Sequence, residues 1–311
     1  SRMDAVAETF IDEIETLLNR DLPEEERIPL IEKFQKMYET MDFYVLYNRF
    51  LKKEGYQTLP RRPLEKRKLR YEDVYPVLYL KYRLSRQAER SNIKHLVIDE
   101  MQDYSRLQYL IIRRMFSCKM TILGDRAQTM ADQQQDVLQF LPGIFGKDLR
   151  RIEMRKSYRN TVEIASYAAN LIGVTDLELF ERHGMPVLER DVTDLEAALR
   201  EAVDTLFSDE KTYETAAVIV PDEKTAERAY LILREILAEK DFDCGKRLSW
   251  LNRDSSSFKK GLTVTTFYLA KGLEFDQVFS IFPKEEKREM MMQAQYIAAT
   301  RALHELRVYH I

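Results

Sequence analysis

An α/β fold, with parallel sheets flanked by helices, is predicted by three observations. Short apolar runs end abruptly on polar clusters: Leu96, Val97 and Ile98 before Asp99 and Glu100, and "MTIL" before Gly124 and Asp125. Such runs read as strands of a parallel sheet, the first of them buried on both faces. Segments with apolar residues three and four apart lie between them, as helices do. Further strand-like runs continue to the C-terminus, so the strand–helix–strand grammar recurs.

Taken in order, residues 4 to about 57 carry a helical pattern, as in "FIDEIETLL" and "IPLIEKFQKMYETMDFYVLYNRFL". The Pro-rich, basic stretch at 60–70 breaks it, and "YEDVYPVLYLKYRLSR" resumes as a helix leading into a strand at 94–98. "MTILGD" (120–125) is the second strand. A second set follows: "LRRIEM", "TAAVIVP", "GLTVTTF", "FDQVFSIFP" and "ELRVYHI", with helices at "TVEIASYAANLI" and "EKTAERAYLILREILAEK". The expected organisation is a helical segment over 1–70, the rear of one α/β domain over 71–150, and a second α/β domain over 151–311.

Composition narrows the function classes. The 311 residues are 45% hydrophobic and 32% charged, which suits two globular domains rather than a disordered chain. No apolar run approaches membrane-spanning length and no signal-peptide pattern opens the chain. Cys118 and Cys244 stand far apart, and His95, His183, His304 and His310 show no metal-ligand spacing. A reducing, cytoplasmic setting and no membrane partner are expected. The net charge of −3 confines any nucleic-acid contact to local patches such as "RRPLEKRKLR" at 61–70, which reads equally as a solvated connection.

Asp99 and Glu100 sit where open α/β sheets bind ligands, at the carboxyl end of a strand. On these residues alone, a metal-nucleotide site and a solvated strand-to-helix turn both stand open.

The order of clusters decides more than any one of them. Along the chain come "IDEMQD" (98–103), "ILGDRAQ" (122–128), "SYRN" (157–160), "TVTTFYLAKGLEFD" (263–276) and "YIAATRA" (296–302). This series resembles motifs II to VI of superfamily 1 helicases of the UvrD/Rep type. "DYS" after the acidic box, "LFERHG" (179–184), "YLAKGLEFD" and "TRALHEL" resemble the HelD (helicase IV-like) branch. The resemblance implies RecA-like, P-loop NTPase-type motor domains, part of the first and all of the second, with ATP and Mg2+ as cofactors.

It also implies roles. Asp99 would hold Mg2+ through its water shell, Glu100 would polarise the attacking water, and Gln102 would sense the γ-phosphate or that water. Asp103 would fix the local turn. Gly124 would permit a tight turn and Gln128 would reach the γ-phosphate; Asp125, read from its residue type alone, caps a helix, and a role in this relay can hold beside that one. Tyr158 would stack on adenine, and Arg159 would grip the γ-phosphate with its planar fork. Gly272 would allow close backbone approach and Glu274 would accept the ribose hydroxyl. Thr265 and Thr266, with Tyr268 at the position usually held by histidine, would line the nucleic-acid track. Arg301 would be the second phosphate arginine. The "MMMQAQ" run (290–295), where charged residues usually open the motif, reads as core filling.

A Walker A loop, G-x-x-x-x-G-K-[S/T], is missing: no Gly-Lys-Ser or Gly-Lys-Thr occurs in these residues. The chain therefore reads as the C-terminal motor region of an ATP-dependent helicase or translocase acting on single-stranded DNA, incompetent for hydrolysis alone. The alternative is a HelD-type factor that binds RNA polymerase, with the helical segment over 1–70 as a partner-binding arm.

Overall fold

The computed structural model describes residues 2–36, 40, 42–84, 92–125, 128, 136–146, 149–154, 156–174, 178–208, 213–240, 247–253, 255, 260–284 and 289–311. They form two compact units: residues 1–124 with 131–150, and residues 125–130 with 151–311.

In the first unit, α1 (Arg2–Leu18) and α2 (Glu24–Lys36) form a hairpin that buries Ala7, Ile11 and Leu22. Glu15 fastens it, accepting from the Leu22 amide and from Arg27, each at 2.8 Å. The 28–51 pattern is not one helix. Asp42 caps a new one, α3 (Phe43–Lys53), by accepting from the Tyr44 and Val45 amides. α3 packs on α4 (Tyr71–Leu84) around Tyr44, Tyr47, Leu51 and Leu59. There the Tyr47 hydroxyl donates to buried Asp73 at 2.9 Å, and burial with that carboxylate pushes it up to about 12. In the basic 61–70 stretch, Arg67 pairs with Asp42 and Arg70 with Asp73, so two of its cations hold the fold.

β1 (His95–Ile98) pairs in parallel with β2 (Lys119–Ile122). Between them α5 (Arg106–Met115) starts on a capping box of Ser105 and Gln108, and α6 (Val137–Phe145) follows β2 on an Asp136 cap. Ile98, Tyr109, Val137 and Leu141 make the small core. The expectation that β1 is buried on both faces fails: Val97 is 61% exposed, because among the described residues this sheet has two strands and helices cover the Ile98 side.

The second unit is built on a fully parallel six-stranded sheet in the order β5-β10-β9-β6-β8-β7. Its strands are β5 (Leu188–Asp191), β6 (Thr215–Val220), β7 (Leu248–Trp250), β8 (Gly261–Thr266), β9 (Phe275–Phe282) and β10 (Ala302–His310). A short pair, β3 (Lys156–Ser157) with β4 (Glu178–Leu179), precedes it. Alternation along β6 sends Ala216, Val218 and Val220 to one face, under α8 (Leu195–Ser208) and α9 (Glu223–Ala238). Ala217 and Ile219 face the other way, under α7 (Val162–Leu171) and α10 (Glu289–Thr300). Both faces covered is what a parallel sheet requires.

Three expectations are corrected here. "LRRIEM" is not a strand: Ile152 is 72% and Met154 87% exposed, and no described strand pairs with the segment. β3, β4, β5 and β7 were not expected; they are short, and β5 is exposed along its length, so they carry no apolar run. In the Met-rich run Met291 and Ala294, three apart on α10, fill the core as expected, while Met290 and Met292 are exposed, since consecutive residues on a helix cannot share one face.

Glu163, in the first turn of α7, accepts from His183 at 3.0 Å and from the Gly184 amide at 2.8 Å. Burial works against the carboxylate, but these hydrogen bonds pull its pKa down to about 2. A depressed folded-state pKa contributes stability above the ordinary value of 4.5 that is lost as pH falls toward 2. Glu163→Gln is therefore expected to flatten the fall in stability between those limits, as read by urea midpoints across pH. An unchanged profile would remove Glu163 from this role.

Candidate nucleotide site

In the first unit the chain leaves β1 through Asp99, and Glu100 then takes φ 52° and ψ 49°. That left-handed conformation is uncommon for a residue with a side chain and is typical of functional turns. Asp99 Oδ1 accepts the Glu100 amide at 2.8 Å, steadying the turn. A 3-10 turn over Met101–Asp103 buries Gln102, whose Nε2 donates to Glu100 Oε2 at 2.6 Å. The Asp103 amide closes this turn on the Glu100 carbonyl at 2.9 Å. Asp99, Glu100 and Gln102 thus share one rigid loop.

Gly124 is needed for a different reason from the one expected. A Cβ there would lie 2.5 Å from Gln102 Oε1, 2.5 Å from Met101 Cγ and 2.6 Å from the Met101 nitrogen. Close packing against the acidic loop, rather than a turn, excludes a side chain.

The second unit holds the other candidates. Arg301, between α10 and β10, is 2% exposed. Its guanidinium donates to the carbonyls of Ile297 and Leu273, to Thr300 Oγ1 and, at 3.5 Å, to Gln128 Oε1. Gln128 Nε2 in turn donates to Asp125 Oδ2 at 2.9 Å, as does the Tyr296 hydroxyl at 2.9 Å. Burial, then the Asp125 carboxylate, pushes the Tyr296 hydroxyl well above its ordinary value, so it stays a donor. Asp125 thus accepts from two side chains, beyond the capping role expected of it.

Arg159 meets Glu274, Nε to Oε1 at 2.6 Å, both partly exposed. Tyr158 is 59% exposed; it packs on Phe180 at 5.5 Å, with Lys156 Nζ 5.5 Å from its ring centroid. Gly272 adopts φ 77°, and an added Cβ would meet nothing within 4 Å. Its positive φ supplies the requirement for glycine.

Thr265 and Thr266 do not line an open surface: both are buried, Thr265 Oγ1 donating to the Leu251 carbonyl at 3.3 Å. They end β8, a central strand covered on both faces, which the apolar spacing around them did not reveal. Tyr268 is half-buried against the α7–α10 face of the sheet.

Two family models match the chain. The UvrD/REP helicase N-terminal domain matches residues 5–130, and the UvrD-like helicase C-terminal domain matches residues 261–309. These matches support a superfamily 1 UvrD-type helicase. The UvrD-type matches contain Asp99, Glu100, Gln102, Gly124 and Gln128 in the first, and Thr265, Thr266, Tyr268, Gly272, Glu274 and Arg301 in the second. Tyr158 and Arg159 lie outside both.

No curated protein matches. Among solved structures, the C-terminal domain of a possible DNA helicase from Lactobacillus plantarum WCFS1 is 24% identical, covering 50% of this chain and 88% of that one with a TM-score of 0.39. The PRRSV helicase is 16% identical over 70% of this chain, 35% of its own length, with a TM-score of 0.38. Arterivirus nonstructural protein 10 (helicase), in complex with DNA, is 15% identical over 70% of this chain and 39% of its own, with a TM-score of 0.36. The chain thus spans little more than a third of each viral protein.

A hard divalent cation suits the acidic loop. Among the described residues no group of three or more His, Cys, Asp or Glu could enclose a metal. Mg2+ needs no such cage, since it keeps several waters and takes one or two carboxylates together with substrate phosphates. Asp99, exposed and with one oxygen engaged by a backbone amide, fits that donor set.

Proposed function

We propose that this chain is the C-terminal motor region of an ATP-dependent DNA helicase or translocase of the UvrD/HelD type, its phosphate-cradling Walker A loop supplied from elsewhere in the full enzyme. The carrying observation is the meeting of Gln128 and Arg301, 173 residues apart in sequence, in one buried network with Asp125 and Tyr296. An arginine buried among carbonyl and amide oxygens is preorganised, so it pays no reorganisation when phosphate charge develops.

On this reading Asp99 would hold Mg2+, which when bound would supply charge to offset that on the transferred phosphoryl group. Glu100 orients the attacking water. With Oε2 engaged by Gln102, Oε1 is the oxygen that accepts the water's proton. Gln128 and Arg301 read the γ-phosphate. Arg159 leaves Glu274 to join them, which frees the Glu274 carboxylate for the ribose hydroxyl. Tyr158 stacks on adenine, and single-stranded DNA is the track. With Thr265 and Thr266 buried, half-buried Tyr268 is the residue left to meet the nucleic acid. Alone, the chain hydrolyses ATP negligibly, because the backbone cradle and lysine of a Walker A loop supply much of the electrostatics.

Photolabelling with 8-azido-ATP, mapped by mass spectrometry, tests the nucleotide assignment. Label is expected around Tyr158 and should be displaced by excess ATP. Label elsewhere, or label insensitive to ATP, contradicts it. The HelD-type reading, in which the motor acts on RNA polymerase, draws support from "LFERHG" and "TRALHEL". Polymerase pull-down with and without residues 1–70 tests it, and loss of capture on truncation is the expected result.

A further inference from the structure

Asn160 follows Arg159 and is buried. Its single side-chain amide donates to the Thr300 carbonyl at 3.2 Å and to the Ala302 carbonyl at 2.6 Å, the two carbonyls that flank Arg301. The carbonyl of Arg301 itself accepts the Phe275 amide at 2.9 Å, so three consecutive peptide groups are held. A second tie runs beside the first. Arg182 Nη1 donates to the Arg159 carbonyl at 3.2 Å, while Nη2 reaches the Leu303 carbonyl at 2.8 Å and His304 Nδ1 at 2.9 Å. The loop bearing Arg182 is itself pinned: its carbonyl accepts the Val162 amide at 2.9 Å, and a Cβ on Gly184 would fall 2.6 Å from Thr161 Cγ2.

We infer that Asn160, seconded by Arg182, is a positioning residue that fixes Arg159 and Arg301 relative to one another. The inference rests on the reading of those two arginines as phosphate contacts, but the tie itself stands on geometry alone. Arg159 and Arg301 lie on segments 142 residues apart, on a surface loop and at the mouth of a central strand. A misplacement of about 1 Å in such a pair costs on the order of a hundredfold in rate, so a rigid cross-link between the backbones that carry them has a direct use. A primary amide suits the task because its two hydrogens can each take one carbonyl.

The test is solvent exchange of the Arg301 Nε–Hε group, which donates to the Ile297 carbonyl at 3.3 Å, in the 15N-labelled full chain. Asn160→Ala is expected to accelerate that exchange about tenfold or more, since both hydrogen bonds to the carbonyls flanking Arg301 are lost. Asn160→Asp, isosteric but without donors, should behave alike. Backbone amides of β6 should keep their wild-type rates in both. Unchanged exchange at Arg301 overturns the inference. So does acceleration shared equally with β6, which would make Asn160 a general prop of the fold. If Asn160 variants do not fold, Arg182→Ala is read the same way: selective acceleration at Arg301 supports the tie and an unchanged rate overturns it. Photolabelling that fails around Tyr158 while exchange responds selectively would remove the phosphate reading and leave the tie standing.

Discussion

Arg301→Ala in the complete motor is expected to lower single-stranded-DNA-stimulated ATP hydrolysis by about a thousandfold or more, the range that a phosphate-stabilising arginine commands. The same change should destabilise the second unit by about 3 kcal/mol. The guanidinium is buried, and its loss strips donors from the Leu273 carbonyl and the Gln128 amide oxygen. Two controls separate chemistry from folding. Arg301→Lys keeps a charge but not the fork, so it should recover part of the stability and little of the rate. Turnover measured well below the variant's unfolding temperature should still be lost. Wild-type rates for Arg301→Ala under those conditions would remove the arginine from the reaction.

Gly124→Val is expected to have the largest effect on the acidic loop. A Cβ at that position collides with the backbone nitrogen of Met101 as well as with side-chain atoms, so no rotamer change relieves it. The Met101 amide donates to the Leu123 carbonyl at 2.8 Å, and the Tyr109 hydroxyl to the Met101 carbonyl at 3.0 Å, so the loop cannot retreat cheaply. Overpacking of this kind costs about 1–3 kcal/mol. It also breaks the Gln102–Glu100 hydrogen bond that aims both side chains. The side-chain amide resonances of Gln102 should shift, and turnover of the complete motor should fall at least tenfold. Native Gln102 resonances in Gly124→Val would show that the loop tolerates a side chain and that another reason keeps glycine there.

The parts of the fold that were legible in the sequence are those in which adjacent residues carry the signal. β6, β8, β9 and β10 announce themselves as apolar runs, and the motif residues follow one another along short segments. What was not legible depends on partners distant in sequence. Asn160 looks like any polar residue after Arg159, because the carbonyls it binds are 140 and 142 residues away. Gly124 looks like a turn glycine until Met101 and Gln102 are seen against it. Thr265 and Thr266 look like surface hydroxyls, yet neighbouring strands and covering helices bury them. The apolar 96–98 run and "LRRIEM" mislead in the opposite sense: apolar residues predict strands or burial, yet Val97, Ile152 and Met154 stay largely exposed.

The decisive measurement is ATP hydrolysis stimulated by single-stranded DNA, for this chain and for a version extended upstream to include any Walker A loop encoded there. Turnover is expected from the extended protein alone, abolished by Arg301→Ala. Turnover by the short chain, or silence from the extended protein, would contradict the proposed function.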